Sequence, residues 1–185
     1  MTFRSKQPWT SAWSVSRILD LGYPMKWVDE SALERGMAVH AWTEAVDKGA
    51  PFRIAGEYGG YADAYKKACY SLSPSWDEGG IEKRFDTGTY HGYIDRVGSI
   101  RGAGRRCVLD IKTGEGSSSS PRTPIQLAAY AAAVSTHPED LLRVELRLSR
   151  EGEYRVVTHT KIDDFRIWRA LLDQAQSKKE ARHGQ

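Results

Sequence analysis

The spacing of apolar and polar positions divides the chain into helical and strand-like stretches. Ser, Trp and aliphatic residues across positions 9–22 predict a short helix beginning near Ser14. Ser31 followed three residues later by Glu34 reads as a capping box, starting a helix that runs to about Lys48 and stops at Gly49. Positions 60–72 form the next helix, ahead of the turn-rich segment SPSWDEGG. Strand-like runs follow at 81–85, 91–97 and 106–112, separated by glycine-containing turns. The segment GEGSSSSPRTP, positions 114–124, is too polar for a core and reads as a loop before an Ala-rich helix over 125–134.

Further on, Val144, Leu146 and Leu148 interleave with Arg143, Glu145 and Arg147, the period of a half-buried strand. A turn at Glu151-Gly152 returns the chain through 154–160 as a hairpin. A last helix over 163–178 carries Phe165, Trp168, Leu171 and Leu172 at helical spacing, and 179–185 is expected to be a frayed tail. The order of elements predicts one α/β domain with a central mixed sheet flanked by helices.

Composition narrows the class. The chain has 185 residues, 40% hydrophobic and 28% charged, a globular balance that suits one domain over 1–185. With 27 Lys and Arg against 24 Asp and Glu, the net charge is +3, which permits an anionic partner without announcing one. No apolar run approaches the ~20 residues of a membrane span, and the start MTFRSKQPWT does not read as a secretory signal. Two cysteines, Cys69 and Cys107, supply neither a disulfide framework nor a four-thiolate cluster.

The chemistry lies in polar residues at positions that should be apolar. In the strand CVLDIK, alternation puts Asp110 and Lys112 side by side on one face. Alone, such a pair reads first as an exposed salt pair. Asp95 is a lone carboxylate inside the earlier run YHGYIDRV. The glycine-rich stretch after it lets the two strands fold as a hairpin with Asp95 near Asp110. Carboxylates that close repel unless a cation lies between them, and hard oxygen ligands suit Mg²⁺ or Mn²⁺. His40 shares a helical arc with Leu33, Gly36 and Met37, the side expected to face the sheet; it reads as a core histidine or as a ligand. Glu44, one turn on, either joins that site or marks where the helix meets solvent, the latter being preferred. Gln126 and Tyr130, four apart, project from one face of the Ala-rich helix.

In this order, RGMAVH (35–40), GYID (92–95), VLDIKTG (108–114) and QLAAY (126–130) resemble the PD-(D/E)XK nuclease superfamily, in particular its RecB-like and phage-exonuclease branch. SVSRILDLGYP (14–24) is similar to the opening of that branch. The resemblance implies a restriction-endonuclease-like core at 31–134. It also implies His40, Asp95 and Asp110 as metal ligands, with the Ile111 carbonyl a further one and one or two Mg²⁺ or Mn²⁺ ions bound. Lys112 becomes the catalytic lysine, Gln126 and Tyr130 support the site or touch the DNA backbone, and Glu82 sits where relatives often carry an acid. The iron–sulfur members need four cysteines, so no such cluster is expected.

The implied activity is a DNA exonuclease working from duplex ends, beside a strand-annealing recombinase, in the cytoplasm of a bacterial or phage-infected cell. A structure-selective or nicking endonuclease and a non-catalytic DNA-binding module are the alternatives. Arg96, Arg101, Arg105 and Arg106, around the tip joining the two strands, and Arg122 in the loop are candidate phosphate contacts. The Ser117–Ser120 run reads as a mobile lid or a linker. Trp9, Trp13 and Trp27 stack on unpaired bases or, the preferred reading, belong to the core. The C-terminal hairpin edge is a candidate contact for a homo-oligomer.

Overall fold

Capping side chains and glycine turns set the element boundaries in the computed structural model, which describes residues 8–25, 29–54, 56–114 and 120–183. The elements are β1 (Trp13–Ser14), α1 (Val15–Leu19), α2 (Glu30–Asp47), α3 (Gly59–Leu72), β2 (Ser75–Asp86), β3 (Tyr90–Ser99), β4 (Arg106–Lys112), α4 (Arg122–Val134), β5 (Leu142–Leu148), β6 (Tyr154–His159) and α5 (Asp163–His183). Ser14 caps α1, its side chain accepting from the Arg17 N–H. The cap of α2 is Asp29 rather than Ser31. Its carboxylate accepts from the Ser31 backbone N–H, and the Ser31 hydroxyl donates to it at 2.7 Å. Gly49 ends that helix with φ of +67°, a value glycine adopts without strain.

Three boundaries differ from the sequence expectation. SPSWDEGG is mostly strand: β2 starts at Ser75 and absorbs its two glycines in a bulge between Trp76 and Ile81. Helix α4 starts at Arg122, with Pro124 accommodated in a first turn where no helical N–H bond is needed. Helix α5 runs on to His183 because Lys178, Lys179, Glu180 and Ala181 are strong helix formers.

Among the described residues the sheet has six strands in the order β1-β3-β4-β5-β6, with β2 also paired to β3. It is mixed: β1 with β3 and β4 with β5 are parallel, the other pairs antiparallel. His91 pairs with both Ser14 and Asp86, and Arg96 with both Ile81 and Leu109. So β1 and β4 share one edge of β3 while β2 holds the other. Between those two pairings, residues 92–95 meet no strand on that edge, and the sheet opens into a cleft.

Helices cover both faces. One core packs α1, α4 and α5 around Ile94, Val97, Val108 and Trp168; the other packs α2 and α3 around Leu109, Ile111, Val144 and Tyr65. Strand β5 is buried on both faces, not one. Arg143 and Glu145 are 2% and 0% exposed, Arg143 paired with Asp164 at 2.7 Å and Glu145 with Arg147 at 2.9 Å. No helix among the described residues is long and apolar enough to cross a membrane.

The start of α3 is wedged against the β5–β6 turn. A Cβ on Gly60 would sit 1.7 Å from the Arg150 carbonyl oxygen, a backbone atom that cannot swing aside. Gly60→Ala is therefore expected to lose at least about 1–3 kcal/mol by overpacking, read as a lowered urea midpoint with an unchanged slope.

Candidate metal centre

The D-x-K strand and its neighbour part company where the carboxylates lie. The β3–β4 register places Asp95 opposite Asp110, and the ladder ends at Arg96–Leu109. Beyond that point the Asp95 Oδ2 accepts the Ile111 N–H at 2.7 Å, replacing the lost ladder partner and fixing the carboxylate. His40, from α2, approaches from the other side. Its Nε2 lies 3.1 Å from the Ile111 carbonyl oxygen, which can only accept, so Nε2 carries a hydrogen. That turns Nδ1 toward Asp95 Oδ1 at 3.6 Å and Glu82 Oε1 at 3.9 Å. Ligand atoms of His40, Glu82 and Asp95 lie within 4.8 Å of one another, close enough to hold one metal ion.

Glu82 reaches the cluster through an unusual backbone. It follows the β2 bulge and has φ of +48°, a left-handed conformation costing roughly 1–2 kcal/mol in a residue with a side chain. Its carboxylate also meets Arg96 at 3.5 Å. Arg96 is completely buried behind the site. It donates to the Asp95 carbonyl at 2.7 Å and to Asp47 Oδ2 at 2.5 Å, and Tyr65 donates to that same Asp47 oxygen at 2.5 Å.

Asp110 is 2% exposed and lies beside the cluster, with Lys112 Nζ 2.6 Å from its Oδ2 in an ion pair outside hydrogen-bond alignment. The same ammonium donates to Gln126 Oε1 at 3.5 Å, and Gln126 Nε2 donates to the Tyr130 hydroxyl at 2.6 Å. The i, i+4 pair on α4 thus forms one chain ending on the lysine.

Burial and mutual charge shape the ionisation. Burial disfavours the imidazolium of His40, yet Asp95, Glu82 and Asp110 more than reverse this and lift it to about 9. Burial pushes Asp110 up to about 6; Lys112 opposes the rise and Asp95 adds to it. For Lys112 burial acts downward, but Asp110 and Asp95 outweigh it and keep the ammonium charged. Burial, with Asp110 and Asp95, holds Tyr130 as a neutral phenol. Carboxylates gathered around one imidazole attract positive charge, and a divalent ion answers them with twice the charge of a proton. The donor set of carboxylates and one imidazole fits such an ion.

The other residues marked from the sequence lie elsewhere. Leu33 and Met37 are 59% and 67% exposed, so the arc they share with His40 faces the open cleft, not the sheet; Val39, Trp42 and Thr43 face the core. Glu44 is neither solvent-facing nor in the cluster: it is 6% exposed and paired with Lys48 at 2.6 Å. Arg96 offers nothing to a phosphate. Arg101 and Arg105 are exposed, but the hairpin tip is some five residues from Asp95, roughly 16 Å along a strand. Arg106 pairs with Asp77, and Arg122 clamps α1 through Asp20 at 2.6 Å and the Ser16 and Tyr23 carbonyls. Trp13 is core at 8% exposure, whereas Trp9 lines the cleft, stacked on His91. Trp27 and Ser117–Ser119 lie outside the described residues; Ser120 accepts the Arg122 N–H. Asp47 and Tyr65 went unnoticed in the sequence, since nothing local marks a helix-end acid and a helix tyrosine as partners.

The sheet, the opening beside β3 and the gathered carboxylates make a candidate metal centre on an α/β core. The chain belongs to the PD-(D/E)XK nuclease superfamily, whose family model matches residues 20–184. Membership implies a nuclease that depends on divalent metal and has DNA as its substrate. No curated protein matches the chain.

Proposed function

We propose that the chain is a Mg²⁺- or Mn²⁺-dependent DNA exonuclease of the RecB-like and phage-exonuclease branch. It cuts from duplex ends in phage-type recombination, beside a strand-annealing recombinase, in the cytoplasm of the host cell. The observation that carries the reading is the convergence of His40 Nδ1, Glu82 and Asp95 beside the Asp110–Lys112 pair. His40, Glu82 and Asp95 would hold the ion, with Asp110 beside them as a further carboxylate. Bound there, the ion would supply an activated water and neutralise charge building on the phosphate. Lys112, kept cationic and aimed by Gln126 and Tyr130, neutralises phosphoryl oxygens or orients the water.

The decisive experiment offers linear duplex, covalently closed circle and single strand to the purified protein, with Mg²⁺ or with EDTA. The expected result is loss of linear DNA only, and none in EDTA. Cutting of the closed circle identifies an endonuclease, and no cutting with Mg²⁺ or Mn²⁺ leaves a DNA-binding module. Metal alone has its own readout. At a hundredfold excess over its dissociation constant, Mn²⁺ is expected to add about 2.7 kcal/mol of stability, raising Tm by roughly 5–10 °C. Asp95→Ala abolishes that shift in a thermal melt.

A further inference from the structure

Beyond Lys112 the sheet carries a second acid–base pair in step with the first. Strands β4 and β5 run parallel, and their register sets Asp110 beside Glu145 and Lys112 beside Arg147. The next strand extends the upper rung, because Arg147 lies opposite Arg155 across the antiparallel β5–β6 pair. Residues paired in a ladder share one face of the sheet. Lys112, Arg147 and Arg155 therefore form a single line of cations across three strands. Strands are spaced about 4.8 Å apart, which makes the line roughly 10 Å long. It runs away from β3 and its cleft, toward β6, the last strand on that side among the described residues.

The line is unfavourable by itself. Like charges placed directly opposite one another on neighbouring strands repel, and stability alone would favour keeping them apart. Here buried groups hold them in place. Glu145, completely buried, accepts from Arg147 at 2.9 Å through one oxygen and from His159 Nε2 at 3.1 Å through the other. That anchored carboxylate fixes the Arg147 guanidinium in the line, as Asp110 and Gln126 fix the Lys112 ammonium. The side chains of Lys112 and Arg147 stay 34% and 12% exposed, and Arg155 at the end of the line is exposed. An anion laid along the line relieves the repulsion. A nucleic-acid strand is a row of anions that advances about 3.4 Å per nucleotide along a duplex, so the line meets roughly three nucleotides.

We propose that Lys112, Arg147 and Arg155 are one phosphate track. The phosphate being cut sits at Lys112, and the next phosphates of the same strand lie against Arg147 and Arg155. The strand thus crosses β5 and leaves the metal centre over β6. Arg147 and Arg155 are positioning residues that set where the strand lies, whatever its sequence. The proposal rests on the reading that Lys112 belongs to a nuclease centre.

The test follows binding of fluorescein-labelled DNA by the whole chain in EDTA as salt is raised, with cutting in Mg²⁺ measured separately. Each lost phosphate contact flattens the plot of log affinity against log salt by about 0.9 for duplex and about 0.7 for single strand. Arg155→Ala is expected to show that change. Lys66→Ala removes an exposed charge from α3, on the opposite face of the sheet, and is expected to keep the wild-type slope. Replacing Arg147 alone would strand the buried Glu145, so Arg147→Met is combined with Glu145→Gln. That pair of changes leaves the net charge as it was, yet the slope is expected to fall, because a contact is lost. A thermal melt checks each variant. In the cutting arm, an uncharged methylphosphonate replaces single phosphates next to the one cut. Wild type is expected to slow at one such position, and Arg155→Ala to lose that sensitivity, the mark of two coupled groups. Wild-type slopes in both arginine variants, or methylphosphonate and variant effects that merely add at every position, overturn the track. A wild type that cuts no DNA fails the nuclease reading instead, while the slopes in EDTA still decide whether the line holds DNA.

Discussion

Asp110→Asn and Lys112→Ala are each expected to lower Mg²⁺-dependent cleavage by at least about 10²–10³-fold, the scale of removing one group aimed at the charge of a transition state. Neither loss should come from unfolding. Asp110 is a buried carboxylate whose ionised form is disfavoured by burial and by Asp95, so Asn, of equal size and uncharged, removes a cost along with the function. Its Tm should lie within a few degrees of wild type, at or above it in EDTA. Lys112 keeps a third of its side chain exposed, so its truncation leaves water able to reach the Asp110 carboxylate. End-labelled digestion paired with a melt of each variant checks both halves. Wild-type-like digestion by either variant would remove that residue from the site.

Activity lost at constant stability is the expected mark of residues placed for chemistry against local preference. The same conflict made the site readable in the sequence. Asp95 and Asp110 interrupt apolar strands, and the glycines between them predict the hairpin that the β3–β4 register displays. His40 was legible as a polar residue beside Leu33 and Met37, but the arc was assigned to the wrong surroundings. Helical periodicity tells which residues share a face, not whether that face meets a sheet or an open cleft. Glu82 was marked only by the resemblance, as sitting where relatives often carry an acid. Its place in the cluster depends on a bulge and a left-handed backbone that no pattern of apolar and polar residues encodes.

Arginine was the least legible residue type. Arg106 and Arg122, marked as phosphate contacts, are bound to Asp77 and Asp20, and Arg143, read as the polar face of a half-buried strand, is bound to Asp164. Each of these partners lies at least twenty residues away in the chain, where local pattern is silent. Strands β3 to β6 were placed within a few residues; β1 at Trp13–Ser14 was not expected, and Gly79 and Gly80 read as a turn but formed a bulge inside β2.

Arg96 presents the sharpest case, and its removal is expected to have the largest effect on the fold. Arg96→Met keeps the length of the side chain but leaves Asp47, whose side chain is 6% exposed, without its cation. Stranding one member of a buried pair costs about 3–5 kcal/mol, or roughly 6–20 °C in Tm for a chain of this size. The same guanidinium holds the Asp95 carbonyl and meets the Glu82 carboxylate, so metal affinity should fall about 10–100-fold as well. The two effects separate in a combined variant. Replacing Asp47 by Leu and Tyr65 by Phe in the Arg96→Met background removes the stranded acid and the hydroxyl that donates to it, and most of the stability should return. Metal affinity should not, because Asp95 and Glu82 still lack their support. Urea unfolding and a Mn²⁺ titration on the same three proteins measure the two quantities independently. Affinity that recovers together with stability would reduce Arg96 to a fold residue. Stability alone recovering would make it the group that aims two carboxylates at one ion.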